Sequence, residues 1–264
     1  MKQAKALVLT GYGLNTEYEM AHSFALAGAD NRIAHFSDLL KKNVTLDNFH
    51  VLTIPGGFSF GDDIATGKVF VNKLRYNKHL QEALLQFIED GKLVFGACNG
   101  FQIIAKLGLL PAFGKNYFEQ TATITGNDSG RFENRWVHLR ANKRSHCVFT
   151  KGIERLYLVV RHGEGKFIPA DDNTRRKLHS DGHVAVQYTD EHGNLAGYPH
   201  NPNGAIDNIA GICDETGRVF GMMPHAEAFN HPTNHPRWTR GEATGAEGLQ
   251  IFRNAVEYVT EKLL

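Results

Sequence analysis

The chain has 264 residues, with 29 lysines and arginines against 28 aspartates and glutamates, a formal net charge of +1. That balance makes no electrostatic case for a nucleic-acid partner, because non-specific binders carry clustered positive charge. A hydrophobic content of 42 % excludes disordered, collagen-like and disulfide-scaffold classes, and no stretch approaches the ~20 apolar residues that span a bilayer. Residues 6–10 are too short an apolar run for a secretory leader, so no membrane partner is expected. Three scattered cysteines, Cys98, Cys147 and Cys213, suit a reducing compartment, and the expected location is cytoplasmic.

Strands and helices alternate through the first hundred residues. Residues 6–10 form a continuous apolar run, the pattern of a strand buried on both faces. A Gly11-Tyr-Gly13 turn follows, then a helix over 16–27 that stops at Gly28. Further strands are expected at 32–36 and 51–54, the second ending in Pro55-Gly56-Gly57. Residues 79–90 place Leu80, Leu84, Phe87 and Ile88 on one helical face. A strand at 92–97 and a helix at 99–107, closed by Gly108, complete the alternation. Strands joined by helical crossovers imply a parallel sheet with helices on both faces.

Beyond Pro111 the rhythm changes to strands and turns, at 121–125, 136–140, 156–160, 184–188, 209–213 and 219–223. Helical periodicity returns at 248–264. The expected fold is α/β: one domain over 1–264, an open, mostly parallel, flavodoxin-like sheet with an antiparallel, strand-rich second half.

Two glycine motifs imitate nucleotide sites and fail. Gly11-x-Gly13 has Thr16 where a dinucleotide fingerprint needs its third glycine, so a tight strand-to-helix turn explains it. Between Gly61 and Gly67 there are five residues rather than the four of a phosphate loop, and Val69 lacks the hydroxyl that would hold magnesium. His231-x-x-x-His235 has zinc-like spacing, but its prolines bar the regular helix that would align the ligands, and no metal is expected. Residues 131–177 carry twelve basic against five acidic side chains, which reads as a solvated face or a surface for an anionic partner.

Gly96-Ala97-Cys98-Asn99-Gly100 is the strongest local signal. It has the glycine-x-nucleophile-x-glycine form between an apolar strand and a helix. Such an elbow holds its central side chain above the sheet edge, while the helix N-terminus favours a thiolate and offers N–H groups to an oxyanion. A cysteine nucleophile needs a base, and the base needs an orienting group. Pro224-His225-Ala226-Glu227 follows an apolar strand, so His225 is the expected base and Glu227 its orienting carboxylate. Gly57, in a glycine pair at the end of its strand, and Asn99 are expected to lend the oxyanion amides. Cys147 and Cys213 lack flanking elbow glycines and read as packing residues.

With these residues in place the chain resembles the class I, or triad, glutamine amidotransferases. More narrowly, it resembles the glutaminase subunits of phosphoribosylformylglycinamidine synthases. The similarity rests on Pro55-Gly56-Gly57-Phe58-Ser59-Phe60-Gly61-Asp62, Gly96 to Gln102, His162-Gly163-Glu164-Gly165, Asn201-Pro202-Asn203-Gly204 and Met223 to Glu227. It implies that Cys98 forms a γ-glutamyl thioester, with His225 and Glu227 as its partners. It implies that Gly56, Phe58, Gln102, His162 and Glu164 line the substrate pocket or the exit from it. It also implies no cofactor in this chain. The implied partners are glutamine, a large synthetase subunit holding ATP and magnesium, and in some members a small bridging subunit.

Ala226 and Ala228 depart from the proline and arginine common in the family, and segments 171–181 and 230–246 are additional. The competing readings are a stand-alone γ-glutamyl hydrolase or amidase, and a regulatory subunit whose chemistry is idle. The intact Cys98, His225 and Glu227 oppose the idle reading, and the His162–Gly165 run opposes the stand-alone one.

Overall fold

The first half of the chain folds as β1 (Lys5–Thr10), α1 (Glu17–Leu26), β2 (Asp30–His35), α2 (Phe36–Leu40), β3 (Val51–Ile54), α3 (Lys68–Arg75), α4 (Lys78–Glu89), β4 (Leu93–Ala97) and α5 (Asn99–Leu107). The second half adds β5 (Ala122–Gly126), β6 (Glu133–Ala141), β7 (Arg155–His162), β8 (Glu164–Pro169), α6 (Asp172–Ser180), β9 (Val184–Thr189), β10 (Ile209–Cys213), β11 (Val219–Met222) and α7 (Leu249–Lys262). This is a computed structural model, and it describes residues 2–243 and 245–264.

A nine-stranded sheet runs through both halves in the order β2-β1-β3-β4-β11-β10-β9-β6-β7, beside a two-stranded β5-β8 ribbon. The first-half strands pair in parallel, and β11 joins them parallel to β4. From β11 outward the pairs are antiparallel. Strands β3 and β4 are buried at every residue, as expected of apolar runs lying between helices. Helices α1 and α7 meet through Phe24 and Phe252, edge to face at 5.0 Å. Elsewhere Phe36 stacks on Phe70 of α3 at 4.0 Å.

The pairing of β4 with β11 positions the site. Ala97 lies opposite Met222, so two neighbouring parallel strands end at the same sheet edge. Cys98 leaves from one and Met223-Pro224-His225 from the other.

Four elements were not expected. Helix α2 is a five-residue turn of helix, and α3 begins at Lys68, capped by Gly67 in a left-handed conformation with φ 71°. Strand β8 arises from the glycine-rich run after His162, which recovers an extended form by pairing with β5. Helix α6 occupies the 171–181 segment. The Asp171 carboxylate caps it by accepting from the Thr174 N–H at 2.7 Å, while the helix buries only Thr174 and Leu178. Segment 230–246 contains short, exposed 3-10 turns, Pro232–Asn234 and Trp238–Arg240, and its Thr244 lies outside the described residues. Among the described residues no helix is long and apolar enough to cross a membrane.

Candidate active site

Cys98 occupies the one-residue turn between β4 and α5 with φ 50° and ψ −106°. A non-glycine residue held there costs ~1–3 kcal/mol and persists only where its surroundings over-determine it. The flanking glycines show how they do so. A Cβ on Gly96 would stand 2.6 Å from the Gly100 carbonyl carbon, and one on Gly100 would stand 1.8 Å from the Ile54 oxygen. Helix α5 therefore lies directly on the backbone of β3 and β4. The Cys98 N–H donates to the Met222 carbonyl at 2.8 Å, tying the elbow to the strand that delivers the histidine. The thiol rests 3.7 Å from the Arg161 carbonyl oxygen.

His225 is fixed through its own N–H, which donates to the Val159 carbonyl of β7 at 2.9 Å. Its Nδ1 lies 2.6 Å from Oε1 of Glu227. That contact occupies Nδ1, and among the described residues Nε2 has no hydrogen-bond partner. Both side chains are almost wholly buried. Burial by itself would discharge the ring, but Glu227 and then Cys98 outweigh it and raise the His225 pKa above the ordinary histidine range. For Glu227 burial likewise works toward the neutral form, and the His225 charge and hydrogen bond overcome it, holding the carboxyl below its usual range. A cysteine thiol beside a protonated imidazole oriented by a carboxylate is the arrangement a thiolate nucleophile needs.

Facing this group is the loop after β3. Among the described residues the N–H groups of Gly57 and Asn99 have no hydrogen-bond partner, as oxyanion donors require. The loop is held by backbone on backbone: the Asn15 N–H donates to Gly56 at 3.0 Å and the Phe58 N–H to Gly13 at 2.8 Å. A Cβ on Gly57 would stand 2.3 Å from the Gly13 oxygen, so the Gly11-x-Gly13 turn serves as the seat of this loop.

A model of the CobB/CobQ-like glutamine amidotransferase domain matches residues 3–259. The chain belongs to that family. It is 42 % identical to the phosphoribosylformylglycinamidine synthase subunit PurQ of Methanococcus maripaludis, across 96 % of this chain and 97 % of that relative. Its identity to the PurQ subunit of Dehalococcoides mccartyi is 43 %, across 99 % and 100 %. Among solved structures, PurLQS from Thermotoga maritima aligns with a TM-score of 0.73 and 26 % identity, over 98 % of this chain and all of that one.

Within this amidotransferase the expected pocket residues take unequal places. The Gly56 N–H is not free for substrate, since it donates to Thr16 Oγ1 at 2.9 Å. The second contribution of Gly56 is room: a Cβ there would press to 2.6 Å on Cε1 of His225. Gln102 is buried, and both ends of its amide are taken. Its Oε1 accepts from Asn99 Nδ2 at 2.8 Å and its Nε2 donates to the Glu164 carbonyl, so it braces α5 against β8. The Glu164 carboxylate accepts from the Thr66 hydroxyl and faces Lys106 at 3.8 Å.

His162 is buried between two amides, with Asn127 Oδ1 3.2 Å from its Nδ1 and Asn203 Nδ2 3.4 Å from its Nε2. Burial, followed by the nearby charge of His225, pushes its pKa down to about 3, so the ring is neutral. Phe58 is 43 % exposed and lies 6.1 Å, ring to ring, from Phe132, which is 54 % exposed. The sequence reads Thr16 as a helix start and as the residue that breaks the dinucleotide fingerprint. Its hydroxyl makes no helix cap and instead accepts from the Gly56 amide.

Proposed function

We propose that this chain is the glutaminase subunit of a phosphoribosylformylglycinamidine synthase, one amidotransferase domain over 1–264 with Cys98, His225 and Glu227 as its catalytic residues. The observation that carries this reading is the 2.6 Å contact from His225 Nδ1 to Glu227, which leaves an unpartnered Nε2 beside Cys98. The PurQ relatives supply the context.

Cys98, as thiolate, attacks the carboxamide carbon of glutamine. Charge collects on the carbonyl oxygen, where the amides of Gly57 and Asn99 receive it. The C–N bond breaks as His225 gives its proton to the departing ammonia, leaving a γ-glutamyl thioester. The ring, now neutral, takes a proton from water, which attacks the thioester and releases glutamate and the Cys98 thiolate. Ammonia free in neutral water becomes ammonium and loses its nucleophilic lone pair. It must therefore reach the synthetase by a covered route.

In this reading ATP and magnesium are held by a large synthetase subunit, a small subunit bridges the two where the assembly uses one, and the setting is the cytoplasm. Cys98 is only 4 % exposed, which supports slow turnover in the isolated chain and faster turnover once assembly opens the site.

The deciding experiment assays the reconstituted synthase carrying Cys98→Ala with glutamine and then with an ammonium salt. Glutamine-dependent synthesis is expected to vanish while ammonium-dependent synthesis persists. Survival of both removes Cys98 from the mechanism. Fast glutamate release by the isolated wild-type chain points instead to a stand-alone hydrolase.

A further inference from the structure

Behind the nucleophile, α5 carries a lysine where an apolar residue would ordinarily sit. Lys106 is 7 % exposed, yet its ammonium reaches three oxygens: the Thr66 carbonyl at 2.6 Å, the Thr66 hydroxyl at 3.2 Å and the Glu164 carboxylate at 3.8 Å. The Thr66 hydroxyl donates a hydrogen bond to the same carboxylate. Burying an ammonium is expensive and is tolerated only where each proton finds an oxygen. Nothing in the proposed chemistry uses this group.

The contacts continue without a break to the reaction centre. The Glu164 carbonyl accepts from Gln102 Nε2, Gln102 Oε1 accepts from Asn99 Nδ2, and Asn99 Oδ1 accepts from the Ser59 N–H at 3.3 Å. Ser59 and Thr66 bracket a loop with three successive left-handed residues, Phe60, Gly61 and Asp62. Such a run does not hold its shape unaided. Its front is seated on Tyr12 and Gly13, with the Phe60 and Tyr12 rings stacked at 4.4 Å. Its rear is held by Lys106.

We propose that Lys106 and Thr66 are positioning residues, a clamp that fixes the 58–66 loop to the nucleophile helix and so sets the spacing of the Gly57 and Asn99 amides. The proposal rests on the reading of those amides as the oxyanion donors. It assigns the clamp to transition-state stabilisation, separate from glutamine binding and from the thiol–imidazole pair.

The test uses the assembled synthase and the isosteric Thr66→Val, with Thr66→Ser as the conservative control. Thr66→Val is expected to lower kcat for glutamate release about 10-fold with KM unchanged, within the ~100-fold range that a misplacement near 1 Å produces. Thr66→Ser is expected to restore it. Alkylation of Cys98 by iodoacetamide is expected to proceed at the wild-type rate in all three proteins, because the nucleophile is untouched. Lys106→Met combined with Glu164→Gln, which keeps the charge balance, is expected to show a larger loss of the same kind.

Wild-type kcat in Thr66→Val overturns the clamp. So does a variant in which kcat, alkylation and cooperative melting fall together, since that describes general loosening. If the wild-type assembly releases no glutamate, the proposed function fails, whatever the variants do.

Discussion

His162 and His225 are both buried, lie near enough for one charge to act on the other, and end in opposite protonation states. His162 stands between the side-chain amides of Asn127 and Asn203, which offer dipoles but no charge. Burial wins there and the ring stays neutral. His225 stands against the Glu227 carboxylate, and the ion pair wins over the same desolvation. At equal burial the partner decides the charge. One half of the molecule thus contains an imidazole held charged and another held neutral.

The sharpest way to break that contrast is Glu227→Gln. Without the carboxylate, burial lowers the His225 pKa, so the alkaline limb of kcat/KM moves to lower pH. A fall in kcat of about 100-fold or more is expected, with little change in KM, since the analogous change in a serine triad costs ~10⁴. An unmoved limb separates Glu227 from the base.

Gly56→Ala is the next strongest. The added methyl meets Cε1 of His225 at 2.6 Å and must turn the ring away from the thiol. A kcat loss approaching ~100-fold is expected for such a displacement, together with slower alkylation of Cys98. Normal activity would show that the ring has slack.

His162→Gln tests the neutral partner through stability. A ring whose folded pKa is depressed binds fewer protons in the native state than in the unfolded state. Stability is therefore lost as pH falls from the unfolded value near 6.5 toward about 3. The variant is expected to move the midpoint of acid unfolding to lower pH, and no movement would contradict the neutral assignment.

The smallest effect is expected at Asp62. Its pKa is raised to about 6, first by burial and then by Glu164, against the pull of Lys106 and the Gly67 amide, with Asp63 adding to the repulsion. The folded state holds this proton more tightly than the unfolded state, so stability falls as pH rises from the unfolded value of 3.8 through about 6. Asp62→Asn is expected to raise Tm by a few degrees at pH 7.5, a modest gain because solvent screens this half-exposed carboxylate. The gain is expected to disappear below pH 4, and an equal gain at both pH values would point to a cause other than titration.

The first half of the fold was readable because its signals are local. The buried runs that became β1, β3 and β4 and the stripe that became α4 each state their environment within a few residues. Among the missed elements α2 is a single short turn and α3 buries a local stripe, Phe70, Val71 and Leu74; the other two take their stability from elsewhere. Strand β8 is a glycine-rich segment made regular by β5. Helix α6 has an almost entirely polar surface.

The pocket residues divide the same way. Gln102 and Glu164 belong to the reaction centre's surroundings, but their polar groups bind one another's segments and their neighbours, which spacing along a chain does not reveal. Thr16 stood only in a failed nucleotide fingerprint, and Lys106 carried no motif at all.

What the amino-acid order determined unaided was the elbow. Glycines on either side of Cys98 are demanded by the backbone, since any side chain at Gly96 or Gly100 would collide with the neighbouring main chain. The adjacency of His225 to Glu227 was likewise determined, the two being separated by one residue. What only the tertiary structure decided was their meeting. β11 enters the sheet beside β4 after an antiparallel excursion of more than a hundred residues, and the 2.8 Å bond from the Cys98 N–H to Met222 joins the two strand ends. The protonation states of the two histidines were decided at that same level, because they follow from which side chains are packed against each ring.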